Sequence, residues 1–315
     1  MQKKFDVLVV GELNVDLIFN QLTSLPQVGK ERLAGEMCLT LGSSAAIFAS
    51  NLSVLGARVT FVAKTGRDVF GDFCVERLQL KGVDTSMLMR HGKLTTGATV
   101  VLNFGEDRAM VTHQGAMSYL GPDDITEEML SAARHLHFSS YFLQPAFKGR
   151  LGDLFRRAKE AGLTTSLDVQ WDPAEEWDLD LPGVLPFVDI FLPNESELLC
   201  LTGKASVESA LGFIGRAGNF ILVKQGREGS TLWHKDKLCR GVPFINHSVV
   251  DAIGAGDSFN AGYIFKFLQA VPPEECQRFA NLIAAISTTA AGGTTAFLNY
   301  EETINIGKSL FGYEA

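Results

Sequence analysis

The clearest candidates for chemistry lie in the stretch VVDAIGAGDSFNAG, which runs from Val249 to Gly262. Gly254 and Gly256, with Ala255 between them, permit a tight turn that brings several main-chain N–H groups to one point. At the start of a helix such a turn binds anions, because unpaired N–H groups and the helix dipole both favour negative charge. Asp257 follows the turn and has two interpretations: an N-cap of the helix, or a general base beside a bound phosphate. The residue types leave both open.

Two further segments could bind a metal ion or phosphate groups. Asn194-Glu-Ser-Glu197 stands at a predicted helix start, where amide and carboxylate oxygens suit Mg²⁺ held through water; the alternative is a capped helix end. Lys224 ends a predicted strand and is followed by Gly226 and Gly229. The lysine and the main chain beside it could approach phosphate groups, and the alternative is an ordinary glycine turn between strands.

Polar residues after two other strands could contact a substrate. Asn14 and Asp16 follow the first strand, at the carboxyl end where ligands bind in open α/β sheets, although both types are also common in turns. Asp168 ends a later strand and, if buried, needs a partner or a ligand. His135 and His137 alternate on one strand without a third ligand at suitable spacing, so no metal site is predicted there.

The apolar pattern predicts the elements that position these residues. Runs such as Phe5–Val10 and Phe220–Lys224 are typical of strands buried on both faces of a parallel sheet. Beyond residue 120 strands and helical patterns alternate, which favours one parallel sheet covered by helices. The pattern predicts helices near 42–56, 70–80, 124–133, 148–161, 195–201, 258–268 and 274–290, and further strands near 58–63, 135–139, 164–169, 190–192 and 241–250. Two alternating segments, near 14–40 and 95–115, predict a small β excursion, the second with a turn at Gly105-Glu106-Asp107.

Composition bounds the class of protein. The chain has 315 residues, of which 46% are hydrophobic, enough for one large α/β domain. Its net charge of -8 argues against a nucleic-acid partner. Five cysteines without C-x-x-C spacing suggest free thiols in a reducing compartment. The N-terminus has no signal-peptide pattern and no apolar run is long enough to span a membrane, so we expect a soluble, cytoplasmic protein.

Two common nucleotide signatures are missing from the sequence. It contains no G-x-x-x-x-G-K-[ST] motif, and no G-x-G-x-x-G follows the first strand. A phosphate-binding turn near the C-terminus therefore requires a different family. VVDAIGAGDSFNAG resembles the second signature of the ribokinase-like, or PfkB, carbohydrate kinases. The block from Leu55 to Asp72 resembles that family's first signature region, and the pieces around Asn14, Asn194 and Lys224 follow in the family's order.

The resemblance implies a ribokinase-like three-layer α/β sandwich over residues 1–315, with a small β-sheet lid formed by segments 14–40 and 95–115. It implies ATP-dependent phosphoryl transfer to a hydroxymethyl group of a small carbohydrate, with ATP and Mg²⁺ as cofactors. A monovalent cation near Asp251 and Ala252 and a homodimer through the lid are further expectations. The implied roles are Asp257 as base; the Gly254, Ala255, Gly256 and Asp257 turn as anion hole; Asn14, Asp16, Gly42, Ser43, Arg108 and Asp168 for substrate; Lys224, Gly226, Gly229 and Asn281 for nucleotide; and Asn194 and Glu197 for the metal through water.

Departures from the family pattern concern the acceptor. Gly42-Ser43 stands where the family usually has a Gly-Gly pair, and Ile47 stands where an Asn is common. Ala252 replaces the Thr that usually follows the first Asp of the signature. A sugar kinase is the leading interpretation, because Lys224 and the Asp168 strand resemble the ketodeoxygluconate and fructokinase branches. A nucleoside kinase of the same fold is the near alternative, since Ile47 makes the pocket less polar. A catalytically silent ligand-binding relative is the third.

Overall fold

The computed structural model describes residues 3–104, 107–215 and 219–314, with the main chain alone at Asp107. Gly105 and Glu106 of the predicted turn lie outside the described residues. The strands are β1 (Phe5–Val10), β2 (Asn14–Asn20), β3 (Glu36–Leu41), β4 (Val59–Val62), β5 (Lys64–Gly66), β6 (Met89–His91), β7 (Gly97–Phe104), β8 (Asp107–His113), β9 (Ala133–Ser139), β10 (Thr164–Asp168), β11 (Ile190–Phe191), β12 (Phe220–Lys224), β13 (Ser230–His234) and β14 (Lys237–Gly241). The helices are α1 (Ser44–Val54), α2 (Val69–Leu80), α3 (Glu127–Ser131), α4 (Leu151–Glu160), α5 (Leu181–Val184), α6 (Glu195–Thr202), α7 (Val207–Ile214), α8 (Ala255–Phe267), α9 (Pro273–Ser287) and α10 (Tyr300–Phe311).

The main sheet has eight strands in the order β14-β13-β12-β11-β10-β9-β1-β4. The six strands from β12 to β4 pair in parallel, and β13 and β14 extend the sheet antiparallel at one edge. Parallel strands bring their carboxyl ends to the same side of the sheet, where ligands bind in open α/β folds. The candidate residues that follow β1, β10, β11 and β12 therefore meet at these carboxyl ends.

Helices cover both faces of this sheet, which confirms the three-layer prediction. Leu8 and Val10 of β1 pack with α3, α4, α6 and α7, whereas Val7 and Val9 pack with α1, α2, α8 and α9. Side chains alternate across a strand, so the continuous apolar run of β1 feeds both cores at once. α8 lies between α1 and α9, which places its N-terminus at the ligand-binding edge.

A separate four-stranded sheet has the order β3-β2-β7-β8. Its strands come from the two alternating segments predicted to leave the main sheet. β2 and β7 pair in parallel, and the two edge strands pair antiparallel. We call it the small sheet. β2 and β7 carry Asn14, Asp16 and Thr99, so it brings polar side chains to the acceptor side of the site.

The predicted strand over 241–250 is wrong. β14 ends at Gly241, and residues 242–250 form no regular element. Val242 and Val250 in this segment are 80% and 62% exposed, because β14 already forms the edge and no further strand pairs there. The predicted helix at 124–133 shortens to α3, since β9 begins at Ala133.

Candidate active site

A cavity of about 520 Å³ opens where the carboxyl ends of the parallel strands, the N-terminus of α8 and the small sheet meet. Most of the predicted site residues line it, namely Asn14, Asp16, Ser43, Arg108, Asn194, Glu197, Lys224, Gly226, Gly254, Ala255, Gly256 and Asp257. The other predicted site residues, Gly42, Asp168, Gly229 and Asn281, lie behind or beside this lining. A neighbouring cavity of about 860 Å³ shares Met110, Leu143 and Trp171 with it.

The glycine turn is the N-terminus of α8. Gly254 is the N-cap with φ of 75°, a left-handed conformation that glycine adopts without strain. A Cβ at this position would lie 2.6 Å from the Cα of Gly293, so a larger residue is excluded sterically as well. Ser258 N–H donates the first intrahelical bond, to the Gly254 carbonyl at 2.8 Å. The amides of Gly256 and Asp257 lie in the turn before it, where an anion can accept from them.

Asp257 is the third residue of α8, so the interpretation of Asp257 as N-cap is wrong. Its side chain is 6% exposed and lines the cavity. The Gln170 side-chain amide donates to its Oδ1 at 3.2 Å. Burial, with Asp168 and Glu12 nearby, raises the pKa of Asp257 well above its usual range, against the lowering effect of Lys224 and Ser44. A carboxylate with a raised pKa is a stronger base near neutral pH than an exposed one.

Lys224 brings a positive charge to this group of acids. Its Nζ lies 3.1 Å from Oδ2 of Asp168, which is fully buried. Burial lowers the pKa of Lys224, but Asp168, Glu197 and Asp257 together raise it above its usual value. The Lys224 Nζ also lies 3.6 Å from where a Cβ would stand at Gly256. The ammonium group therefore lies beside the anion-binding turn.

Asp168 faces protein side chains rather than the cavity. Its Oδ2 accepts from Asn260 Nδ2 at 2.6 Å and from Gln170 Nε2 at 2.8 Å, besides its bond to Lys224. These contacts fix the lysine and favour that role over the predicted contact with substrate.

Asn194 and Glu197 form a capping box at the start of α6. Asn194 Oδ1 accepts from Glu197 N–H at 2.8 Å, and the Glu197 carboxylate accepts from Asn194 N–H at 2.8 Å and from Asn194 Nδ2 at 2.6 Å. Burial and Asp168 raise the pKa of Glu197 to about 7. No cluster of three or more His, Cys, Asp or Glu able to hold a metal occurs among residues 3–104, 107–215 and 219–314. Each carboxylate oxygen keeps a lone pair, so the pair suits Mg²⁺ held through water, not a closed metal cage.

The acceptor side of the cavity belongs to the small sheet and the start of α1. Asn14 Nδ2 donates to Asp16 Oδ1 at 3.0 Å and to Thr99 Oγ1 at 3.2 Å. Burial raises the pKa of Asp16 to about 6. Gly42 lies directly behind this pair, because a Cβ there would come within 2.7 Å of Asn14 Nδ2. This side of the cavity offers oxygen acceptors suited to substrate hydroxyl groups.

The predicted nucleotide residues lie along β12, β13 and α9. Gly226 and Gly229 have φ of 55° and 85°, so the loop after Lys224 requires glycine. Asn281 Nδ2 donates to the Val242 carbonyl at 3.3 Å. Asn281 thus fixes the chain just after β14.

Glu12 and Gln170 are among the cavity residues that were not predicted from the sequence. Glu12 is 2% exposed, lines the cavity, and accepts from Ala45 N–H at 3.4 Å; burial raises its pKa. Gln170 lines the cavity with φ of 61°. Glu12 follows Gly11 at the end of β1 and Gln170 follows β10, so their position after strand ends was the available signal. Their neighbours come from distant parts of the chain.

Comparisons with known proteins identify the family of the chain. The family model described as pfkB family carbohydrate kinase matches residues 4–299. The chain is 27% identical to a nucleoside kinase of Methanothermobacter thermautotrophicus, covering 100% of this chain and 99% of that protein. It is 26% identical to a deoxyribokinase of Salmonella typhi, covering 94% of this chain and 97% of that protein.

Solved structures show the same fold. Arabidopsis thaliana ribokinase complexed with ribose and ATP superposes with a TM-score of 0.83 at 24% identity, covering 98% of this chain and 99% of that one. A putative ribokinase II of E. coli in complex with ATP and Mg²⁺ superposes with a TM-score of 0.81 at 22% identity, covering 96% of this chain and 98% of that one.

Proposed function

Because the chain belongs to the pfkB family of carbohydrate kinases, we propose that it transfers the γ-phosphoryl group of ATP to a hydroxymethyl group of a small carbohydrate. The observation that carries the proposal is the arrangement at the start of α8. A buried carboxylate, Asp257, lies at an anion-binding turn, and Lys224 lies beside that turn. Phosphoryl transfer requires a base, a cradle for the transferred group and positive charge close together.

In the proposed mechanism, Asp257 takes the proton of the acceptor hydroxyl while the hydroxyl oxygen attacks the γ-phosphorus of ATP. The bond from phosphorus to the ADP oxygen breaks, and the electron pair leaves with ADP. The amides of Gly256 and Asp257 and the Lys224 ammonium stabilise the charge on the transferred group. Ala255 N–H is directed to the Ala252 carbonyl at 3.3 Å, a long bond that leaves it able to join them.

Mg²⁺ supplies charge neutralisation on the ATP phosphates when bound. We assign Asn194 and Glu197 to hold its water ligands, because their oxygens line the cavity next to Lys224. The main chains of Asn194 and Lys224 pair as an isolated parallel bridge, which holds the start of α6 beside the end of β12.

The small sheet is proposed to act as a lid that covers the acceptor and excludes water. Asn14, Asp16 and Ser43 bind acceptor hydroxyl groups, and Arg108 on β8 reaches the same cavity.

Asp251 accepts from Ile253 N–H and Gly292 N–H, both at 2.9 Å, and so connects the loops where a monovalent cation is expected. Turnover measured in K⁺ and in tetramethylammonium tests that cation.

A nucleoside acceptor is the second candidate, favoured by the cavity next to the site. Four of the five residues shared by the two cavities are apolar and could contact a base: Met110, Leu143, Trp171 and Pro173, beside Thr112. A nucleoside kinase is also among the relatives, at 27% identity. Sugar and nucleoside acceptors share the hydroxymethyl group that would be phosphorylated. One assay therefore decides between them.

The test is ATP consumption with Mg²⁺ against pentoses, hexoses, keto-acid sugars and nucleosides. Asp257→Ala should lower kcat on the accepted compound by about 10²-fold or more while ATP still binds. Asp153→Ala, which removes an exposed acid on α4, should keep wild-type activity. Turnover that survives in Asp257→Ala would refute the mechanism. ATP binding without turnover of any acceptor would favour a silent ligand-binding relative.

We further propose a homodimer through the small sheet. Its β2–β3 loop and edge strand β3 expose apolar side chains, with Leu33 83% and Met37 63% exposed, and such patches favour association. Sedimentation should show a dimer that Met37→Lys weakens; a wild-type monomer would refute the proposed dimer.

The described residues contain no helix long and apolar enough to cross a membrane. We place the activity in the cytoplasm because all five cysteines are free, as expected in a reducing compartment.

A further inference from the structure

Gln170 contacts two buried acids at the site, Asp168 and Asp257. Its Nε2 donates to Oδ2 of Asp168 at 2.8 Å and to Oδ1 of Asp257 at 3.2 Å. The two carboxylates come from β10 and α8, which are 89 positions apart in the sequence (257 − 168). One neutral amide thus donates to both acids, and a donor to the Asp257 carboxylate favours the ionised form of Asp257.

The main chain at Gln170 is strained. Its φ of 61° lies in the left-handed region, which side chains with a Cβ occupy at an energetic disadvantage. A glycine would relieve that strain without any change in the fold. Backbone strain of this kind persists where the surrounding structure enforces it, and it is concentrated at functional sites. A glycine, however, would lack the side-chain amide that Gln170 provides.

We propose that Gln170 is a positioning residue for phosphoryl transfer: its amide holds one oxygen of Asp257 in place and leaves the other for the acceptor hydroxyl. This inference rests on the proposed function, in which Asp257 is the base. Because the amide donates to the carboxylate, its loss disfavours the ionised form of Asp257. The base would then require a higher pH to work.

The groups that face Asp257 come from every element around it. Asp168 on β10 and Glu12 after β1 add negative charge, Lys224 on β12 adds positive charge, and Ser44 on α1 offers a hydroxyl. A change in the pH profile is therefore assigned to Gln170 only when these neighbours are intact. The Gln170 variants leave these four residues unchanged.

Gln170→Gly removes the amide and relieves the strain. We expect kcat to fall about 10-fold with the KM for ATP within about twofold of wild type. The acid limb of the profile of kcat/KM against pH should move to higher pH, and Tm should equal or exceed that of the wild type. Lower stability together with lower activity would indicate a merely structural role.

Two more variants complete the test. Ala270→Gly relieves a similar φ of 57° just beyond the C-terminal end of α8, and it should keep wild-type kcat and pH profile. Gln170→Glu keeps the side-chain length but adds a carboxylate, so it should move the acid limb further than Gln170→Gly. Wild-type kcat and an unchanged pH profile in Gln170→Gly would overturn the proposal.

The ¹³C NMR titration of Asp257 separates this inference from the proposed function. The pKa of Asp257 should be higher in Gln170→Gly than in the wild type, whether or not an acceptor is known. An unchanged pKa would refute the role of Gln170 even in an active kinase. A raised pKa in a protein that turns over no acceptor would leave the contact established and the proposed function refuted.

Discussion

At the scale of single residues, the site concentrates buried carboxylates around one lysine. Glu12, Asp168, Glu197 and Asp257 are each at most 6% exposed, and Lys224 is the cation that contacts Asp168. Ionised groups are stable in such surroundings only when opposite charge compensates them. Mg²⁺ would add positive charge when ATP binds. The site is therefore electrostatically incomplete without its ligands.

Removal of the lysine should expose this imbalance. Lys224→Met leaves Asp168 buried without a cation, and we expect the free energy of unfolding to fall by about 3 kcal/mol. Lys224→Met combined with Asp168→Asn should recover part of that loss, because the uncompensated charge is gone. Urea denaturation of the wild type, both single variants and the double variant measures the coupling. A double variant whose losses simply add would contradict the ion pair.

Glu197 should make stability depend on pH. Its pKa is raised from 4.5 to about 7 in the folded protein, so between these values the folded state holds a proton that the unfolded state has lost. Its contribution to stability is complete below pH 4.5 and is lost as pH rises through 7. The difference in Tm between the wild type and Glu197→Gln should change in this sense between pH 5 and pH 8 without Mg²⁺. A difference independent of pH would contradict the raised pKa.

At the scale of elements, the contact between β9 and β10 contains a buried polar network. His135 lies 2.8 Å from Thr164 Oγ1 and 2.7 Å from Ser166 Oγ, and His137 lies 2.7 Å from the same Ser166 oxygen. Phe48 of α1 stacks on His137 at 3.7 Å between ring centroids. The hydrogen bonds satisfy both ring nitrogens of His135 and Nδ1 of His137 between two largely buried strands. The histidines therefore stabilise the centre of the sheet.

Acid should weaken this contact. Burial lowers the pKa of His135 from 6.5 to about 3 and that of His137 well below 6.5, so the unfolded state binds protons first. The contribution of His135 is complete above pH 6.5 and is lost as pH falls towards 3. At pH 4.5 protonation of His135 in the unfolded state should reduce stability by about 2.5 kcal/mol relative to pH 7, and His137 should act in the same direction. His135→Gln should lose less stability than the wild type over this range in urea denaturation, whereas the exposed His91→Gln should match the wild type.

The elements themselves were largely predictable, for a physical reason. β1 and β12 have the predicted bounds because a continuous apolar run buried on both faces has one favourable environment. The apolar residues of 242–250 failed as a strand because pairing depends on a neighbour that the local pattern does not contain. The glycine turn before Asp257 was recognisable locally. The bridging role of Gln170 was not, because Asp257 reaches it from a distant helix.

At the scale of the whole molecule, the small sheet meets the main body at Gly42, between β3 and α1. Asn14 and Asp16 pack against this glycine so closely that a Cβ would lie within 2.7 Å of both side chains. A side chain at position 42 must displace the Asn14 and Asp16 side chains. The acceptor side of the cavity would change with them, whereas the nucleotide side lies on β12 and α9.

Gly42→Ala should therefore separate the two substrates. We expect the KM for the acceptor to rise about 10-fold or more, since small displacements at a site have large kinetic effects. The KM for ATP should stay close to that of the wild type. Gly92→Ala is a matched control, because a Cβ at Gly92 would have no heavy atom within 4 Å. Equal increases in both KM values would contradict an effect of Gly42 that is confined to the acceptor side.

The position of α8 has a consequence for the chain during its synthesis. Asn51 of α1 donates to Ser258 of α8 at 2.9 Å, across 207 positions of sequence. A growing polypeptide that has completed β1 to β12 already contains Asn14, Glu197 and Lys224, but α8 with its amide turn and Asp257 has still to emerge from the ribosome. The emerging protein thus cannot consume ATP by this mechanism until α8 has been translated and has docked against α1.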